Sequence, residues 1–99
     1  MKIMVTLESL GAQREDVVRI ASRHGARNIR VFGSVARGQA TDRSDLDLLV
    51  DWEPGRSLFD QVALVQDLEE TLNVKIHAGT ERSLHWYIRD RILNEATRL

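Results

Sequence analysis

Two aspartates separated by one residue, Asp45 and Asp47, follow a Gly33-Ser34 pair after the ten-residue stretch 35–44. On an extended strand, acids at i and i+2 share a face with their Cα atoms about 6.5–7 Å apart. Two carboxylates so placed can converge on one divalent cation. Oxygen donors suit Mg2+, which keeps part of its water and completes its shell with substrate phosphates. Gly33-Ser34 offers the complementary half. A glycine at a strand end lets the backbone approach a phosphate closely. The N–H groups of the turn that follows, with the Ser34 hydroxyl, can donate to an anion. Arg37 and Arg43 are further candidates, since a guanidinium engages two phosphate oxygens at once. Ser44 is placed to orient the aspartate loop. Together these residues suit the handling of a metal-bound polyphosphate.

The elements that must position them can be read from periodicity. Leu7, Leu10, Val17 and Ala21 recur at helical spacing, and Gly25 after His24 is a helix stop. Residues 28–32 read as a short strand with Ile29 and Val31 on one face, ended by Gly33. Residues 34–37 can form one helical turn. Residues 45–52 are the clearest strand: Leu46, Leu48 and Val50 point one way, and Asp45, Asp47, Leu49 and Asp51 the other. Pro54-Gly55 marks a turn, and Ser57 with Asp60 resembles a capping box. Leu58, Val62, Val65, Leu68 and Leu72 then predict an amphipathic helix that Asn73 can end in a left-handed conformation. Residues 74–78 read as a third strand, with Lys75 and His77 opposite Val74 and Ile76. A last helix follows Ser83, its stripe built from Leu84, Tyr87, Ile88, Ile92 and Ala96. The order α-β-(α)-β-α-β-α predicts an α/β or α+β fold.

Composition narrows the function. Ninety-nine residues, 42% hydrophobic and 29% charged, predict a single domain over 1–99. Without cysteine there are no disulfides, thiolate metal sites or cysteine nucleophiles. Fourteen basic against 15 acidic residues create no field that gathers a polyanion, so direct nucleic-acid binding is not expected. No apolar run is long enough for a membrane span or for the core of a leader peptide, which predicts a cytoplasmic protein. His24 and His85 lie beside helix ends and are assigned no chemistry. Trp52, Trp86 and Tyr87 read as packing, although Trp86 falls off its helix's apolar stripe.

Gly-Ser, ten residues, then Asp-x-Asp resembles the signature of the DNA polymerase β-type nucleotidyltransferase superfamily. More closely, the chain resembles the minimal nucleotidyltransferases, through Glu53-Pro54-Gly55-Arg56-Ser57-Leu58-Phe59-Asp60 and Tyr87-Ile88-Arg89-Asp90-Arg91-Ile92-Leu93. The resemblance implies a short mixed β-sheet backed by helices. It also implies Mg2+-dependent transfer of AMP from ATP to a hydroxyl of a protein partner. Many such proteins are antitoxins of HEPN-family RNase toxins, and some adenylylate a toxin tyrosine. On this resemblance Asp45 and Asp47 are catalytic ligands of two Mg2+ ions, and Gly33, Ser34, Arg37 and Ser44 lie on the nucleotide side. These 99 residues hold no segment resembling the helical domain with which larger members hold antibiotics or RNA, so the expectation is that a separately encoded partner brings the acceptor.

The family's third aspartate, in a Val-Asp-Leu-Val pattern after the long helix, is matched by His77 in Ile76-His77-Ala78-Gly79. A neutral imidazole can act as a general base near pH 7. It also removes one negative charge from a site meant for two cations, and Mg2+ prefers oxygen. Slow transfer is therefore expected. The alternative expectation is an antitoxin that neutralises its toxin by binding alone.

Overall fold

The computed structural model describes residues 5–99. The expectation that the N-terminus carries no leader core falls in part on residues 1–4 and lies, to that extent, outside the described residues. The elements are α1 (Leu7–Ala12), α2 (Arg14–Arg23), β1 (Ala26–Phe32), α3 (Gly33–Ala36), β2 (Leu46–Trp52), α4 (Leu58–Leu72), β3 (Ile76–Gly79), α5 (Trp86–Glu95) and β4 (Thr97–Arg98), with a 3-10 turn over Glu81–Ser83. The sheet runs β3-β2-β1-β4. The β2–β3 pair is parallel and the other two are antiparallel, which makes a mixed sheet.

Alternation along β2 builds the molecule's two faces. Leu46, Leu48 and Val50 are buried with Ile29 and Val31 of β1 and Val74 and Ile76 around β3. Leu10 of α1, Val17, Ile20 and Ala21 of α2, and Leu64 and Leu68 of α4 complete this cluster. Leu49, on the opposite face of β2, and Ile92 of α5 are buried outside it. Ala26 and Ile29 are both buried although an odd spacing should oppose them. The pairing with β2 shifts between Arg27 and Arg30, and Asn28 takes φ 53°, so a bulge restores the phase.

Four expectations are corrected. The first helix is divided at Gln13, whose φ of −105° and ψ of 11° leave the helical region, two residues after the weak helix former Gly11. On α4 the buried positions are Leu64 and Leu68, whereas Leu58 and Val62 are exposed. Gln61 already donates to the Ala78 carbonyl near the end of β3, so the residues before it run past that short strand. Tyr87 is likewise exposed, and α5 starts at Trp86 with His85 as its N-cap. Finally, Thr97 and Arg98 add a fourth strand beside Val31 and Arg30. Two-residue strands carry no periodicity to read. The local caps hold: Ser57 and Asp60 form the capping box of α4, Asn73 is left-handed at its end, and Gly25 follows α2 at φ 81°.

Candidate active site

The turn at Gly33 meets Asp47 because β1 and β2 are neighbours in register, with Phe32 opposite Asp47. Gly33 turns the chain at φ 76° into α3, and Val35 anchors that short helix in the core. A Cβ on Gly33 would fall against the Asp47 Oδ2. Only glycine fits there, on two counts: the positive φ and the carboxylate beside it.

From the other side, β3 sets His77 opposite Asp47. The His77 Nε2 lies 2.8 Å from Asp45 Oδ2. An ionised carboxylate only accepts, so this bond is donated by the His77 Nε2–H. Burial is the largest influence on Asp47 and pushes its carboxyl above the usual carboxylate range. The positive field of His77 opposes this, and the Asp45 charge adds to it. A carboxylate raised by burial beside a second carboxylate is a place where a cation would be welcome.

Among the described residues, no three or more His, Asp or Glu side chains are arranged to hold a metal ion. Asp45 and Asp47 nevertheless supply carboxylate oxygens, the donor type that Mg2+ takes. On the β3 side the pair is faced by the His77 imidazole, a nitrogen ligand in place of an oxygen one.

The remaining expected residues fall into different roles. Ser34 sits at the turn with its hydroxyl in none of the side-chain hydrogen bonds of the described residues. Arg37 is tied to Glu95, its Nη1 lying 3.1 Å from Glu95 Oε2. Ser44 accepts from the Thr41 N–H at 2.8 Å and so orders the loop before β2. Arg43 also belongs to that loop, its N–H donating to the Thr41 hydroxyl. His24 instead bridges α2 to α4 through Asp67 at 2.9 Å. Glu95 is the residue that periodicity missed. Its Oε2 accepts the Gly33 N–H at 2.6 Å from 62 positions away, and no local pattern could announce that pairing. A hollow of about 370 Å3 behind the turn, lined by Thr6, Leu7, Val35, Ala36, Arg37 and Ala40 among others, is not lined by Asp45, Asp47 or His77.

The four-stranded mixed sheet thus brings the turn at Gly33 against Asp47 and His77 against Asp45. The chain belongs to the nucleotidyltransferase family: the nucleotidyltransferase domain model matches residues 13–99. A Methanocaldococcus jannaschii relative, provisionally named a protein adenylyltransferase, is 40% identical over 83 residues, covering 84% of this chain and 89% of its own. The protein adenylyltransferase MntA of Thermococcus cleftensis is 36% identical, covering 93% and 94% of the two chains. A solved structure, described provisionally as a minimal nucleotidyltransferase, superposes with a TM-score of 0.83 at 48% identity, covering 96% of this chain and 97% of that one. The fold alone is shared with a toxin–antitoxin crystal structure holding AMP-PNP, at a TM-score of 0.71 and 17% identity over 85% of this chain and 69% of that one. The protein is thus an enzyme of the nucleotidyltransferase type, with the mixed α+β fold of the minimal members. None of the helices among the described residues is long and apolar enough to cross a membrane.

Proposed function

We propose that this nucleotidyltransferase transfers AMP from ATP to a hydroxyl of a protein partner, and that it is the antitoxin of a HEPN-family toxin in the cytoplasm. The observation that supports this reading is the contact of Gly33 with Asp47, with His77 opposite Asp47 and bonded to Asp45. The protein adenylyltransferase names of its relatives support the substrate class. The toxin–antitoxin description of a structure sharing the fold, with AMP-PNP, supports both the nucleotide and the setting. Phe59 and Trp86, 86% and 78% exposed, support a macromolecular acceptor, since bare large apolar side chains mark contact surfaces.

Ser34 and the N–H groups of its turn receive the phosphates, and Arg37 adds a guanidinium beside them. Asp45 and Asp47 would hold Mg2+, which when bound neutralises charge on phosphate oxygens. His77, with Nε2–H donated to Asp45, presents Nδ1 to the acceptor hydroxyl and takes its proton. The acceptor oxygen then forms a bond to the α-phosphorus, the bond from that phosphorus to the oxygen bridging to the β-phosphate breaks, and pyrophosphate leaves. Positioning and charge supply most of the acceleration.

The test mixes the pure protein with its cognate toxin, Mg2+ and ATP labelled at the α-phosphate. Label should move to the toxin, and Asp45→Asn should slow it by about a hundredfold or more. A second reading, neutralisation by binding alone, is favoured by His77 standing where an acid would complete the metal shell. It gains if wild type transfers no label while His77→Asp does, and if Asp45→Asn still neutralises the toxin.

A further inference from the structure

Glu95 closes the last turn of α5, far from the nucleotide residues in sequence, yet its carboxylate is only 16% exposed and lies against their turn. Its Oε2 accepts from the Gly33 N–H at 2.6 Å and from Arg37 Nη1 at 3.1 Å, while Oε1 lies 3.3 Å from the same nitrogen. Arg37 Nε is meanwhile held by Gln39 at 3.1 Å. One carboxylate therefore grips both the residue that opens the turn and the guanidinium that closes it.

We propose that Glu95 is a positioning residue of the nucleotide site, which sets the Gly33-Ser34 turn against Asp47 and aims Arg37. This rests on the nucleotide reading above. The Gly33 N–H is spent on Glu95, so it is a fixing point of the turn, and the N–H and hydroxyl of Ser34 are left for phosphate. Gly33 sits between two carboxylates: its Cα side faces Asp47 and its N–H faces Glu95. Releasing Glu95 lets a turn at φ 76° relax, and Ser34 then shifts relative to the metal-side acid. A displacement of about 1 Å at a reacting centre can cost about a hundredfold in rate. Ile92, one turn earlier on α5, is buried and anchors the end of the helix that carries Glu95. Charge-assisted bonds to a carboxylate are the strong kind, which suits a fixing role. The Glu95–Arg37 pair also cancels charge locally, so a carboxylate can stand beside a polyphosphate. The end of α5 is thereby a working part of the site.

The full chain carrying Glu95→Ala, Glu95→Gln or Arg37→Ala is compared with wild type for AMP-PNP affinity, and for KM and kcat of label transfer. Unfolding temperature is followed alongside. Glu95→Ala should weaken nucleotide binding by about tenfold and lower kcat by about tenfold to a hundredfold. Glu95→Gln keeps an amide oxygen for the Gly33 N–H and loses the charge that holds Arg37. It should restore most of kcat and leave KM raised. Glu95→Ala with Arg37→Ala should lose less than the sum of the single effects, as for partners in one contact. Folded Glu95→Ala with wild-type affinity, KM and kcat overturns the proposal alone. A wild-type chain that neither binds AMP-PNP nor transfers label removes the nucleotide reading, and this proposal with it.

Discussion

Asp47 carries opposing demands in a single side chain. Its pairing partners, Phe32 on β1 and His77 on β3, put it in the middle of the sheet, where burial raises its carboxyl above the ordinary value of 3.8. A raised folded value means that the folded state holds the proton more tightly than the unfolded chain. Stability from this group is complete below pH 3.8 and is lost as pH rises through the folded value. At pH 7 the ionised group therefore opposes folding. Asp47→Asn is expected to melt at or above the wild-type temperature at pH 7, with the difference closing below about pH 4. Label transfer by the same variant should fall by about a hundredfold or more. A lower melting temperature at pH 7 for Asp47→Asn would contradict the burial argument.

At the level of elements, α4 is set by its ends. Ser57 accepts from the Phe59 N–H, and Asp60 Oδ2 accepts from the Ser57 N–H at 2.8 Å. That backbone bond is the main reason why the Asp60 carboxyl lies below its usual range. With a lowered folded value, the Asp60 contribution is present above pH 3.8 and fades as pH falls through the folded value. Ser57→Ala should lower the unfolding free energy by about 1 kcal/mol. In urea the midpoint should fall while the slope stays unchanged. Both caps were legible in the sequence because each acts within four residues. The face that α4 buries was legible only in part. A stripe through Leu58 and Val62 is correct as helical arithmetic, but burial needs something opposite, and β3 is too short to provide it for the first turn.

The whole molecule depends on one apolar cluster between the sheet and α1, α2 and α4. Leu68, fully buried, should cost about 2–5 kcal/mol when truncated to alanine. Small domains have about 5–15 kcal/mol in all, so Leu68→Ala should be substantially destabilised at 37 °C in a circular-dichroism melt. Phe59→Ser should move the same melt by less than about 0.5 kcal/mol, because the ring is 86% exposed. Equal losses for the two variants would refute the assignment of the core.

By itself, the sequence determined whatever acts through near neighbours: the alternation of β2 that buries Leu46, Leu48 and Val50, the turn at Gly33, and the caps of α4. Tertiary structure alone decided that His77 reaches Asp45, that Glu95 holds Gly33 and Arg37, and that Thr97 and Arg98 extend the sheet beside β1. Periodicity and capping are written within a few residues. Contacts across 32 or 62 positions depend instead on how strands pair and where a helix ends in space, and no local pattern records that path.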